Sequence, residues 1–349
     1  MAGIAPSTEH WPRRAKRLAV GATAALLLSQ LIHWKFGYIC PLMTVILLQD
    51  SKAQTFKQIL NTQLWVTLLL FSQSFIFLFL SPYPLVFLVY VCLALFWFYR
   101  WALESGVHIL AIAAGVISLT AIPVVVTIDP ITAWKSANGL WVNFLVAMCL
   151  SKLSFWFLPP KYQGGLDNSL GHHHGPQGDI TAVALTMAVT MMPLVAFVIT
   201  FSITDLLIPI FAAFFAMELS SVGAYREGRA GVLANMFFAG IGSVIFYELI
   251  VMFPHPVFLG LFAMCFVLFW GGKIFRMTKT SLFWSSGLNG FLVLIGGAMY
   301  YEDSDVGISL LKRVVQILLA GVYVWIAFKV MDMCRYYLSR FSFKRSKKA

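Results

Sequence analysis

Long apolar stretches separated by short polar punctuation run along the whole chain. From Gln58 to Tyr99 there are 42 consecutive residues without a charge, broken only by Pro82-Tyr83-Pro84. Similar uncharged gaps run from Ile180 to Thr204 and from Leu249 to Gly272. A helix that crosses hydrocarbon needs about 20 apolar residues, so the first of these gaps holds two helices and a tight turn. Reading every gap in this way predicts helices near 18–34, 36–49, 56–80, 84–100, 105–127 and 134–157. A second set follows near 181–202, 206–218, 229–252, 256–272, 280–300 and 308–334.

The two sets are one pattern written twice. Pro82-Tyr83-Pro84 returns as Pro254-His255-Pro256, 172 residues later and again between two apolar runs. The stretch from Pro41 to Gln49-Asp50 is echoed from Pro209 to Met217-Glu218 at an offset of 168, and Lys135 and Lys152 recur as Lys312 and Lys329 at 177. The order of landmarks never changes, which predicts a duplicated membrane unit with its site between the copies. The expected fold is an all-α polytopic membrane protein of about 12 transmembrane helices. It consists of two parallel six-helix repeats related by a pseudo-two-fold axis along the membrane normal. The expected segments are a basic cytoplasmic N-terminus (1–16), a first repeat (17–158), a cytoplasmic linker (159–180), a second repeat (181–337) and a basic tail (338–349).

Composition agrees with a membrane class: 60% of residues are apolar and only 11% charged, too few to cover a soluble protein of 349 residues. Charge adds an orientation. With the N-terminus in the cytoplasm, 21 of the 25 Lys and Arg residues fall on that side, and only Lys35, Lys135, Lys312 and Arg313 fall outside. Positive charge resists translocation, so this split implies an even number of helices per copy and both termini inside. The net charge of +11 needs no nucleic acid, because basic ends suit an anionic leaflet. The start reads as a retained first helix rather than a signal peptide, since His33-Trp34-Lys35-Phe36 has no small-residue cleavage site. The five cysteines lack paired spacing and read as packing thiols.

Several residues stand out as chemistry. The second helix of each copy is short and carries a proline, Pro41 or Pro209, a pattern that marks a transporter's substrate site. Asp50 and Glu218 end these helices at equivalent positions, against the helix dipole, as a gate or as solvated acids beside Lys52 and Arg226. Lys152 and Lys329 close the sixth helices on a face that also carries Trp141. Two copies packed about an axis would turn these lysines toward each other as an anion lining, with Lys135 and Lys312 at the far ends. The alternative is lysines that snorkel to the interface. Glu248 has Ile76 as its counterpart and reads as a proton-coupling carboxylate or a snorkelling acid. His108 is a second proton candidate or a packing histidine. His172-His173-His174 sits in a Gly/Pro-rich linker, where three consecutive rings cannot converge on one ion, so no metal is expected. No Walker motif, dinucleotide fingerprint or Ser/His/Asp arrangement appears, and neither a cofactor nor an enzymatic activity is expected.

The basic start, the segment "HWKFGYICPLMTVILLQD" and the later "SPYPLVFLVYVCLALFWFY" resemble the fusaric-acid-resistance clan, which includes bacterial aromatic acid exporters. The likeness runs from about Arg17 to Arg335, in the compact form that lacks a large cytoplasmic domain. It implies a multi-pass protein of the bacterial inner membrane. It also implies proton-driven efflux of small organic, above all aromatic carboxylic, anions, with a periplasmic membrane-fusion adaptor and an outer-membrane channel as partners. A passive anion channel and a non-transporting scaffold, or a subunit of an envelope-modifying system, are the alternatives.

Overall fold

The computed structural model describes residues 11–32, 36–50, 53–105, 109–160, 180–201, 239–276 and 281–300. It also describes most of 311–333 and the single positions 210, 212 and 216. All regular structure among them is helical. We number the helices α1 (Trp11–Ile32), α2 (Ile39–Gln49), α3 (Phe56–Leu80), α4 (Pro84–Ser105), α5 (Ile109–Thr120), α6 (Ile122–Ile128) and α7 (Pro130–Phe157). After the linker come α8 (Ile180–Thr200), α9 (Ile241–Met252), α10 (Pro256–Phe275) and α11 (Ser281–Tyr300). Eight helical segments are long and apolar enough to cross a membrane, α5–α6 counting as one and Val314–Met331 as the last. Shorter apolar helices lie at Ile39–Gln49, Ile241–Met252 and Phe283–Gly296. The chain is a polytopic helical membrane protein. Positions 210, 212 and 216 of the predicted element 206–218 are helical; its other residues, and 229–238 of the predicted element 229–252, lie outside the described residues.

Local sequence explains the boundaries. Thr55 and Gln58 form a reciprocal capping box at the start of α3, with the Thr55 N–H donating to Gln58 Oε1 at 2.8 Å. The Asp129 carboxylate accepts from the backbone N–H groups of Ile131 and Thr132, and Pro130 occupies the first position of α7, where its missing N–H costs nothing. The predicted helix over 105–127 is two helices instead. Pro123 lacks the N–H that would continue the ladder, and the chain breaks at Ala121 before resuming as α6. The two Pro-X-Pro turns share a bond at the expected offset: Phe87 N–H donates to Tyr83 O at 2.9 Å, and Leu259 N–H to His255 O at 3.1 Å.

Side-chain pairings fix the direction of each helix. Rings at Trp65 and Trp101 (5.2 Å) and at Phe77 and Phe87 (5.3 Å) make α3 and α4 an antiparallel hairpin. Trp141 donates its indole N–H to Thr67 Oγ1 at 2.8 Å, and Phe71 meets Trp134, so α7 also runs against α3. Arg17 at the start of α1 contacts the carbonyl of Leu158 just after α7, so the two ends of this half lie together.

The second half joins the first through α1. Gly271 of α10 lies against Ala15, where an added Cβ would stand 3.2 Å from the Ala15 backbone, while Gly260 faces Leu27. Helices α1 and α10 are thus antiparallel and close, on small residues. The converse pair is present too, with α4 packed on α8. Within the second half, Phe246, Phe266, Trp270 and Phe291 from α9, α10 and α11 form an aromatic core, with the Phe266 and Phe291 rings stacked at 5.5 Å. The outward faces are apolar and exposed, as with Leu85, Val89, Leu93 and Trp97 on α4, which suits hydrocarbon.

Candidate functional site

Helix α1 begins at Trp11, earlier than the predicted start near 18, and this difference matters most for function. Arg13, Arg14, Lys16 and Arg17 lie within the helix rather than on a solvated tail. Positions 13, 14 and 17 share one helical face. That face points into a junction formed by the ends of α2, α7 and α10 and the start of α11.

Arg17 is 1% exposed. Its guanidinium carbon lies 3.8 Å from the centre of the Phe155 ring, a cation–π contact, and its Nη1 makes a long 3.5 Å contact to the Leu158 carbonyl. Its Nε and Nη2 are enclosed and have no acceptor among the described residues. Arg14 donates from Nη2 to the Gln49 carbonyl at 2.9 Å, a cation completing the C-terminus of α2, and lies over the Phe275 ring at 4.5 Å. Its Nε is likewise enclosed without a partner, as is the Nε of Arg13. Gln49 is 5% exposed and accepts at Oε1 from the Ser285 hydroxyl at 2.8 Å, leaving its Nε2 unpartnered. Arg276 closes the rim over the Trp11 ring at 4.7 Å.

The unpartnered groups here are all donors. Buried polar groups are normally paired, and a buried cation without an anion is costly. The arrangement is therefore suited to receive an anion. One turn beyond Arg17, Gly21 packs closely on α2 and α7: an added Cβ would run into Leu48 and stand 2.7 Å from Ser154 Oγ.

The residues singled out from sequence are distributed differently. Pro41 is buried in α2, but as the third residue of that helix it removes a donor that has no intrahelical acceptor anyway. The carbonyl four residues back, Gly37 O, is taken by Cys40 N–H at 3.2 Å, so no carbonyl is freed there, contrary to the expectation for an interrupted helix. Asp50 is the C-cap residue of α2, half-buried and within electrostatic reach of Arg14. Trp141 is a half-buried strut between α3 and α7.

Lys152 is exposed, with Nζ 5.3 Å from the centre of the Phe56 ring, and shares its face with exposed Leu153 and Trp156. Lys329 is exposed over its own helix's Trp325, also at 5.3 Å, beside exposed Ile326 and Val330. Neither touches the arginine junction. Lys135 and Lys312 are exposed. Lys135 borders a shallow, mostly apolar cleft of about 370 Å³ with Ser74, Leu78, Val126 and Trp134, at the end opposite the arginines. Glu248 is exposed on α9 among Val244, Ile245 and Met252, so it does not face the bundle interior as a coupling carboxylate requires. Pro209, Glu218 and His108 lie outside the described residues, as does the His172-His173-His174 run.

Sequence reasoning missed Arg17 because the apolar run begins at Leu18, and the arginines were counted as leaflet charge. One signal was available: arginines at i, i+1 and i+4 (13, 14 and 17) leading without a break into the small-residue face Gly21–Ala22–Ala25 of the first span.

No curated protein and no solved structure matches the chain. Residues 14–154, which run from Arg14 through nearly all of α7 and so include Arg17, Gln49 and Lys152, match a family described as protein of unknown function (DUF2955).

Proposed function

We propose that the protein exports small organic anions, aromatic carboxylates foremost, across the bacterial inner membrane. Both termini and the arginine junction face the cytoplasm. The observation that carries the reading is Arg17, a fully buried cation without a counter-ion among the described residues, where the two halves of a membrane protein meet. Such a charge is expensive to keep empty and attracts an anion from the aqueous side. Phenylalanines beneath Arg14 and Arg17 add ring surfaces that favour an aromatic cargo.

Two repeats of six helices are part of the same proposal. The reciprocal packing of α1 on α10 and α4 on α8, the shared bonds of the two Pro-X-Pro turns and the meeting of the two ends of the first half support it. So does a family match that ends within the sixth helix of the first unit. The proton gradient as energy source, and a periplasmic adaptor with an outer-membrane channel as partners, rest on the resemblance to the fusaric-acid-resistance clan.

A passive anion channel is the second reading, favoured by the exposed position of Glu248, which leaves the coupling role without its expected carboxylate. Flux of an aromatic acid into proteoliposomes, with and without an imposed pH gradient, separates them. Gradient-driven accumulation is expected for the exporter, and downhill flux indifferent to the gradient would favour the channel.

A further inference from the structure

Arg17 presents one particular edge. Nη1 is turned to the Leu158 carbonyl, and the Phe155 ring covers the guanidinium face. The remaining donors, Nε and Nη2, are both enclosed and both without an acceptor. In a planar guanidinium these two N–H groups lie side by side and parallel, at a spacing that matches the two oxygens of one carboxylate. Asp50, which caps α2, acts electrostatically on Arg14. The fork is not already occupied by a carboxylate of the described chain.

We infer that the Nε–Nη2 edge of Arg17 holds one two-oxygen anionic group bidentately. A carboxylate fits this fork as a free organic acid, and a phosphodiester offers the same two oxygens as a lipid headgroup. The inference deepens the export reading and rests on it only for the assignment of the anion as cargo. An anion held permanently would fill the same fork without being transported.

The test is equilibrium binding of labelled benzoate to the full-length protein in detergent, with benzamide as uncharged competitor. Wild type is expected to bind benzoate saturably and to ignore benzamide. Arg17→Lys keeps the charge but loses the fork, so binding should weaken by at least about tenfold, and Arg17→Gln should abolish it. Wild-type affinity in Arg17→Lys would overturn the bidentate contact, and wild-type affinity in Arg17→Gln would overturn the site. Effective competition by benzamide overturns it without recourse to any variant.

A second arm compares retention of phosphatidylglycerol and phosphatidylcholine by wild type and Arg17→Gln. Selective retention of phosphatidylglycerol through Arg17, with no benzoate binding, would support the two-oxygen site with lipid as its occupant and remove its role in export. Failure of both ligands to bind wild type would overturn the inference. Benzoate binding without flux would leave the site standing and defeat the export reading alone.

Discussion

At Asp129 the chemistry of one side chain decides where a membrane helix begins. The Thr132 hydroxyl, bonded at 2.5 Å, holds the Asp129 carboxyl below the usual carboxylate range, aided by the backbone N–H groups of Thr132 and Ile131 and by the charge of Lys135. A depressed folded value means that the cap contributes fully above the unfolded carboxylate's pKa, about 3.9. The contribution is lost as pH falls through the lower folded value. Asp129→Asn should therefore lower the melting temperature at neutral pH and flatten its decline in acid, measured by a thermal-shift series in detergent. An unchanged acid profile would show that the cap does not carry this dependence. The expected start near 134 misses this cap by four residues, because it follows the apolar run and not the Asp129-Pro130 pair that caps the helix. The burial of Arg17 was not legible in the sequence either, because hydropathy marks where charge stops and carries no information about which helices close over the last charged residue.

Between elements, the packing of α1 against α10 joins the two halves. Within each half, uncharged gaps and Pro-X-Pro turns located the helices closely, since hydrocarbon thickness and a missing N–H are local constraints. Which helix of one half meets which of the other depends on small residues 256 positions apart, such as Ala15 and Gly271, and periodicity does not encode that choice. Ala15→Cys with Gly271→Cys, in a background without the native cysteines, should form a disulfide readily. A Cβ at position 271 would stand 3.3 Å from the Ala15 Cβ, near the range that disulfides occupy. With a protease site inserted in 161–179, the cut halves should stay joined under oxidising conditions and separate on reduction. Halves that separate without reductant would refute the α1–α10 contact.

For the whole molecule, the exposed lysines and the buried arginines make opposing forecasts. The sequence suggested a lining formed by Lys152 and Lys329, because duplicated charges on equivalent helices invite a symmetric pair. In the structure each lies over a ring on an exposed apolar face, a placement suited to snorkelling. Replacing both with Met should leave the rate of anion flux within about twofold of wild type, since only interfacial charge is removed. A loss of flux in that double variant would return the pathway to the lysines. The most direct test of the account is the initial rate of labelled benzoate flux in proteoliposomes of wild type and Arg17→Gln, both first shown to be monodisperse with similar melting temperatures. Saturable wild-type flux above protein-free vesicles is expected, with a fall of at least about tenfold in Arg17→Gln. Equal rates in the two proteins, or wild-type flux no greater than that of empty vesicles, would contradict it.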